Sequence, residues 1–418
     1  MEEETLLKPI VVVIFLLFTA ALSAIVVKRI RFPYTIGLVL VGIAIALAAR
    51  EFNALSALRE VRLSPDIILY LILPTLLFEA AINIHFDIMR KNIVSILVLA
   101  TVGLFISTLI VGVVVGNLTP LSMGAALLFG ALISATDPVA VIALFKELGV
   151  PDRLSTLVDG ESLFNDATAI VMFNILLGIV LTGGAVSAGL VVGGVANFFI
   201  VFFGGLVIGV ALAVPVLWLV ELSRQDQLVH LALYAVLAYV SFIVADHIFH
   251  VSGVMAVVGA GVYSAWRAAQ IFDEKMRHVI KMYWEYAAFV ANSLIFLLIG
   301  LTEIELLEDL THFRDHFAYI VIAAVSVVAA RAVVVYGLSP LNNRLSKAEP
   351  VDMPYQTVMF RGGLRGAVPL ALVLGLPQDF EHRVLLLDLT MGVVLLSLLI
   401  QGTTINRLLN VYNLGKGS

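Results

Sequence analysis

Glu161, Ser162, Asn165 and Asp166 lie close together in GESLFNDATAIVMF, residues 160–173. Ser162 and Asp166 are four apart, as are Glu161 and Asn165, so on a helix each pair shares a face. Two carboxylates, an amide and a hydroxyl thus form a short polar stripe on an otherwise apolar helix. Oxygen donors of this kind suit a hard cation. Without clustered His or Cys they do not suit zinc or copper. A tight divalent site would want several carboxylates, so a transient monovalent ion is the better match. A carboxylate at mid-membrane costs roughly 2.5–3.5 kcal/mol on insertion scales. Such a group is stabilised by a proton or by a cation, one excluding the other, and that competition is the chemistry of exchange.

Other ionisable residues belong to the same question. Arg331 stands alone in the apolar stretch AAVSVVAARAVVVYG and needs a partner. Glu161, one residue off the Asp166 face, is read as that partner in a structural salt bridge, with a direct ion-ligand role as the alternative. Asp166 is then left as the unpaired, titratable group. Glu79, in LPTLLFEAAIN, either lines the ion's route or is a carboxylate at the membrane interface.

The elements that must position these residues follow from composition. The chain has 418 residues, 61% hydrophobic and 13% charged. Its mean hydropathy is +1.07. A soluble chain of this length needs more charge to cover its surface. It has no cysteine, which excludes disulfides and thiolate metal sites. Thirteen apolar runs approach the length a bilayer core requires: 9–27, 33–49, 65–83, 92–116, 121–145, 154–180, 187–219, 228–245, 252–266, 284–300, 314–337, 354–375 and 384–409. The fold expected is an all-α polytopic membrane protein. The acidic start, MEEETLLK, lacks the basic region of a cleavable signal peptide. Only a short stretch follows the last run, and no soluble tail domain is expected.

With the N-terminus outside, sixteen Lys and Arg fall in inner loops and six in outer ones, which favours N-out and C-in. The 50–62 loop, with three arginines, goes against that rule and is read as an amphipathic surface segment.

Two of the runs should not be continuous helices. In GALISATDPVAVIALF, Pro138 lacks an N–H and pushes its predecessor out of the α region, so the helix breaks near 134–138. Asp137 and Pro138 read as N-cap and first residue of a new half-helix. In MFRGGLRGAVPLALVL, Gly362, Gly363, Gly366 and Pro369 weaken the second helix similarly. Taken as two halves, helices 1–6 and 8–13, the interrupted helices 5 and 12 are equivalent. The spacer helix 7 inverts the second half. Interrupted helices at matching positions of inverted halves point to a transporter's substrate site. Asp137 is placed to balance half-helix N-termini, and Arg365 to balance C-termini.

ATDP, GESLFNDA and GGLRGA, in this order and spacing, resemble the sodium/proton exchanger branch of the monovalent cation:proton antiporters, in its NhaP-type prokaryotic members. The resemblance covers essentially the whole membrane chain. It implies thirteen transmembrane helices in two inverted six-helix repeats, with two crossing broken helices. It implies a homodimer, with a dimerisation domain (1–90 and 187–300; helices 1–3 and 7–10) and a mobile core domain (91–186 and 313–410; helices 4–6 and 11–13). By resemblance, Asp166 is the ion- and proton-carrying aspartate. Ser162, Thr136 through its carbonyl, and Glu79 are its neighbours at a transient Na⁺. Asn165 replaces an aspartate of electrogenic relatives, and Asp137 is the unwound-helix aspartate. Glu161 and Arg331 form the buried salt bridge, and Arg365 belongs to the second broken helix.

The function expected is exchange of Na⁺ or Li⁺ for H⁺ in a prokaryotic inner membrane, by alternating access and without an added cofactor. With one titratable carboxylate the site is neutral with either ion, so the exchange expected is one-for-one and electroneutral. A K⁺/H⁺ exchanger of the same family is the alternative. A passive channel would need filter carbonyls that do not appear. An intramembrane aspartyl protease using Asp137 and Asp166 would leave Arg331 and Arg365 without a role. Nothing suggests a nucleic-acid partner.

Four features are set aside. His247, His250, His312 and His316 are read as solvated histidines of outer loops. Asn117-Leu118-Thr119 fits a glycosylation sequon in a very short loop. Gly205 and Gly209 form a close-packing motif whose partner is open. Ser162 has no neighbouring His to make a hydrolytic triad.

Overall fold

In lipid, a chain must satisfy its backbone N–H and C=O groups internally, and helices do this segment by segment. The apolar runs accordingly become helices. The computed structural model describes residues 2–30, 34–52, 58, 65–182, 188–223, 226–308, 310–345 and 348–415. In chain order the helices are α1 (Glu2–Ile30), α2 (Tyr34–Glu51), α3 (Ile67–Asn83), α4 (Phe86–Leu118), α5a (Met123–Ser134), α5b (Val139–Leu148), α6 (Asp152–Leu181) and α7 (Ala188–Leu222). They continue as α8 (Gln227–Ile248), α9 (Gly253–Ile271), α10 (Glu274–Glu308), α11 (Leu310–Leu345), α12a (Met353–Arg361), α12b (Ala367–Leu374) and α13, which starts as Arg383–Leu396 and runs on through Gly402–Val411. Among the described residues, 8 helices are long and apolar enough to cross a membrane.

Several helices outrun their apolar runs, α10 and α11 the most. The run 284–300 is part of α10, and 314–337 is part of α11. Charged and polar turns extend both beyond their apolar centres, where hydropathy cannot see them. Most of the 50–62 segment lies outside the described residues. So do the side chains of Lys8, Lys28, Arg31, Arg224, Arg314, Lys347 and Lys416.

Packing divides the helices. α9 lies on α7, α3 and α8, while α10 lies on α2, α3 and α1. In the other group α4 lies on α5a, α6 and α11, and α13 packs against α11 and α12b. The groups meet chiefly where α6 touches α7, α9 and α3, and where α12b reaches α3. The partner of the α7 glycine pair is α9. A methyl on Gly205 would strike the Ser252 carbonyl, and one on Gly209 the Ala256 carbonyl. The absence of side chains lets these two backbones approach.

The histidine reading is corrected at His316. THFRDHF is helical from Leu310, because α11 begins a turn earlier than expected. This brings His316 Nδ1 to 2.6 Å from Oδ2 of the buried Asp388 on α13. His247 is exposed at the end of α8 and pairs with Asp246. His250 is also exposed, with a left-handed φ of 52°. The side chain of His312 lies outside the described residues. Asn117 and Thr119 both bond back to their own helix, at Val113 O (2.7 Å) and Val115 O (2.8 Å).

Candidate ion-binding site

The site forms where the two interrupted helices meet. α5 is unwound over 135–138 and α12 over 362–366, and the breaks touch. The Asp137 N–H donates to Leu364 O at 2.8 Å. α5b begins one residue later than expected, at Val139 with Pro138 at the N-cap, and the Asp137 carboxylate accepts from Val139 N at 2.9 Å. That carboxylate also sits against Gly366, the residue that opens α12b. A methyl on Gly366 would overlap the Asp137 carboxylate, so a side chain is excluded there by close approach. One carboxylate therefore stands at two half-helix N-termini, where the peptide dipoles favour negative charge.

The two C-termini receive arginines. Arg365 donates to Ser134 O (3.1 Å) and Ala135 O (3.0 Å), the carbonyls that end α5a. Its own N–H donates to Ser397 Oγ on α13 at 3.1 Å. Arg331 reaches from α11 to Met359 O of α12a at 2.8 Å. The same guanidinium grips Glu161 with both terminal nitrogens, Nη1 to Oε1 and Nη2 to Oε2, the latter at 3.0 Å. Glu161 is 2% exposed and Arg331 7%, so the pair is buried behind α6. Arg331 thus joins α6 to the end of α12a, a link that sequence spacing did not suggest.

On the front of α6, a cavity of 820 Å³ is bounded by α3, α5, α6, α10 and α12b. Asp166, Ser162, Thr136, Asp137 and Glu79 all line it. Ser162 Oγ donates to Thr136 O at 2.5 Å, which leaves lone pairs on both oxygens, and both residues line the cavity. Asp166 accepts no hydrogen bond from any described residue. Glu79 accepts from Asn83 Nδ2 at 2.8 Å. The neighbouring Phe78 is fully buried against Trp284, with ring centroids 4.6 Å apart, and this turns Glu79 toward the cavity.

Asn165 has a different place. It is 3% exposed and not on the cavity wall. Its Nδ2 donates to Thr136 Oγ1 at 2.6 Å, and its Oδ1 accepts from Thr136 N at 3.3 Å. The amide holds the unwound strand of α5, and with it the Thr136 carbonyl, against α6. Among the residues named from sequence, Glu161, Arg331, Arg365 and Asn165 form the frame, and the other five line the cavity.

Asp159 was missed. It lines the cavity and interacts electrostatically with Glu79 and Lys146. The signal was present: 159, 162 and 166 follow the three-and-four spacing of one helix face. The cavity mouth carries charges of both signs, including Lys146, Asp152, Lys281 and Glu285.

A sequence profile described as "Sodium/hydrogen exchanger, transmembrane" matches residues 14–411. The chain belongs to the sodium/hydrogen exchanger family. It is 38% identical over 387 residues to the low-affinity Na⁺/H⁺ antiporter NhaS1 of Synechocystis, covering 90% of this chain and 68% of that protein. It is 34% identical over 396 residues to the Na⁺/H⁺ antiporter NhaH of Halobacillus aidingensis, covering 94% and 95%. Its fold matches that of the sodium proton antiporter MjNhaP1 from Methanocaldococcus jannaschii with a TM-score of 0.79 at 19% identity, over 98% of this exchanger and 100% of that chain. The all-helical architecture expected from the three motifs is therefore the architecture of this exchanger.

Proposed function

We propose that this exchanger is a secondary antiporter of Na⁺ or Li⁺ against H⁺, and that Asp166 holds the two substrates in turn. One observation carries the reading. Asp166 lines the cavity beside Ser162 and Thr136 and accepts no hydrogen bond from a described residue, whereas Asp159, also without a donor, lies in the field of Glu79 and Lys146. A bare carboxylate beside neutral oxygens suits a monovalent cation, and protonation removes the charge that attracts it. Glu79 adds negative charge along the approach.

Asp137 does not compete for this role. Its charge is held by two half-helix N-termini in both halves of the cycle. Only Asp166 then changes occupancy, so the site carries the same charge with Na⁺ as with H⁺. The stoichiometry proposed is one-for-one and electroneutral.

The packing division supports alternating access. Helices α4–α6 and α11–α13 form the moving core, α1–α3 and α7–α10 form the scaffold, and the cavity lies between them. The scaffold is the proposed dimerisation unit, in the prokaryotic cell membrane with the N-terminus outside. The cavity mouth, near Asp152 and Lys281, then faces the cytoplasm.

The test is proton release from acid-loaded proteoliposomes on adding external Na⁺, Li⁺ or K⁺, with Asp166→Ala alongside. Dequenching by Na⁺ or Li⁺ that vanishes in the variant is expected. Full exchange by folded Asp166→Ala would overturn the assignment.

A further inference from the structure

On α10, across the cavity from α6, Asn292 stands out among the buried polar residues. It is 9% exposed and lines the cavity. Its side-chain amide makes no hydrogen bond to any described residue. The next residue provides the contrast. Ser293 donates to Phe289 O and lies 2.8 Å from the Tyr34 hydroxyl, so it is fully engaged within the scaffold. An amide that reaches the cavity without a protein partner keeps its oxygen free to bind water or an ion there.

Helical register places Asn292 at depth. On α6 the cavity wall runs inward through Asp152, Asp159 and Asp166. On α10 it runs inward through Lys281, Glu285 and Asn292. The α6 series advances about two turns per step and the α10 series about one turn and then two, so Asn292 lies roughly 16 Å in from Lys281. Asn292 therefore belongs to the inner end of the cavity, facing the level of Ser162 and Asp166, while the two charges on α10 belong to the mouth.

We propose that Asn292 is a specificity-determining residue for the transported cation, contributing its amide oxygen, directly or through one water, to the ion at Asp166. The inference rests on Asp166 as the ion-carrying group. The oxygens of Asp166, Ser162 and Thr136 travel with α5 and α6, whereas Glu79 stands on α3 of the scaffold. Asn292 belongs to the scaffold, so its contact exists only while the cavity is open to Asp166. It stabilises the ion on that side of the membrane and is withdrawn when the core moves. The residue thereby makes the two faces of the exchanger unequal in apparent affinity.

The experiment compares wild type, Asn292→Leu, Asn292→Asp and Asp166→Ala in vesicles of both orientations, reading the KM and Vmax for Na⁺ and Li⁺ on each face. Leu keeps the volume without the oxygen, and Asp keeps an oxygen. Asn292→Leu is expected to raise the Na⁺ KM by about tenfold on the cavity face, the size of one lost hydrogen bond to a charged group. Its Vmax and the KM on the other face stay within twofold, and the Na⁺-to-Li⁺ ratio of KM changes. Asn292→Asp keeps a KM at or below wild type. A wild-type KM for Asn292→Leu, an equal rise on both faces, or the same defect in Asn292→Asp overturns the proposal. If Asn292→Leu does not fold, Asn292→Ala is read by the same criteria. Asp166→Ala separates the two readings: its retained exchange would remove the premise, whereas its inactivity beside an unaltered Asn292→Leu removes this inference alone.

Discussion

Helix α6 presents carboxylates to two different surroundings. Behind it, Glu161 is 2% exposed and clamped by Arg331, which also holds the end of α12a. In front, Asp166 borders an 820 Å³ cavity with no internal donor. The two acids are only five residues apart, yet their surroundings prescribe opposite behaviour. A paired and desolvated carboxylate is costly to disturb, because losing either partner strands a buried charge. A carboxylate with no partner takes whichever cation the cavity supplies. Burial alone does not distinguish the two; a resident partner does.

The comparison is sharpest in stability. Arg331→Ala should cost about 3–5 kcal/mol by leaving Glu161 unpaired, read as a fall in thermal stability in detergent. Arg331→Gln combined with Glu161→Gln should recover much of that loss and retain exchange. Asp166→Ala should abolish exchange with little change in stability. If folded Glu161→Gln instead weakened Na⁺ binding tenfold, the division between back and front would fail.

The crossing is tested next. Gly366→Ala should cost about 1–3 kcal/mol through overlap with Asp137 and slow exchange. Gly337→Ala, with nothing near the added methyl, is the control and should behave as wild type. Equal rates for the two variants would mean that the contact at Asp137 does not hold the crossing.

A smaller effect concerns pH. If H⁺ and Na⁺ compete at Asp166, lowering the pH through its titration should raise the Na⁺ KM by up to about tenfold per unit at constant Vmax. A falling Vmax with constant KM would place the proton elsewhere. Smallest of all, an imposed membrane potential should leave the rate unchanged. A clear response would show that the moving core carries net charge in one half-cycle.

Much of this was legible in the sequence for local reasons. Proline removes an N–H wherever it stands, so the break before Val139 followed from Pro138 and its neighbours. Asp137 does accept from Val139 N, the first residue of α5b, although Pro138 holds the N-cap position. The stripe on α6 followed from helical period. Even Asp159 was readable, since it continues that period by one step.

Other features depend on residues far apart in the chain. Arg365 needed a C-terminus to balance, but that it serves α5a rather than its own helix is set by the crossing. Asn165 looked like part of the ion site from its neighbours, whereas contact with Thr136 gives it the frame instead. His316 looked solvated because its flanks are polar, yet α13 brings Asp388 to it. Composition and period determined, from sequence alone, that this is a helical membrane protein with two broken helices and an acidic centre, because those rules act over a few residues. Which carboxylate is paired, which is bare, and which amide faces the cavity were decided only by tertiary structure, because a charge in a low-dielectric interior is governed by whatever packing places beside it.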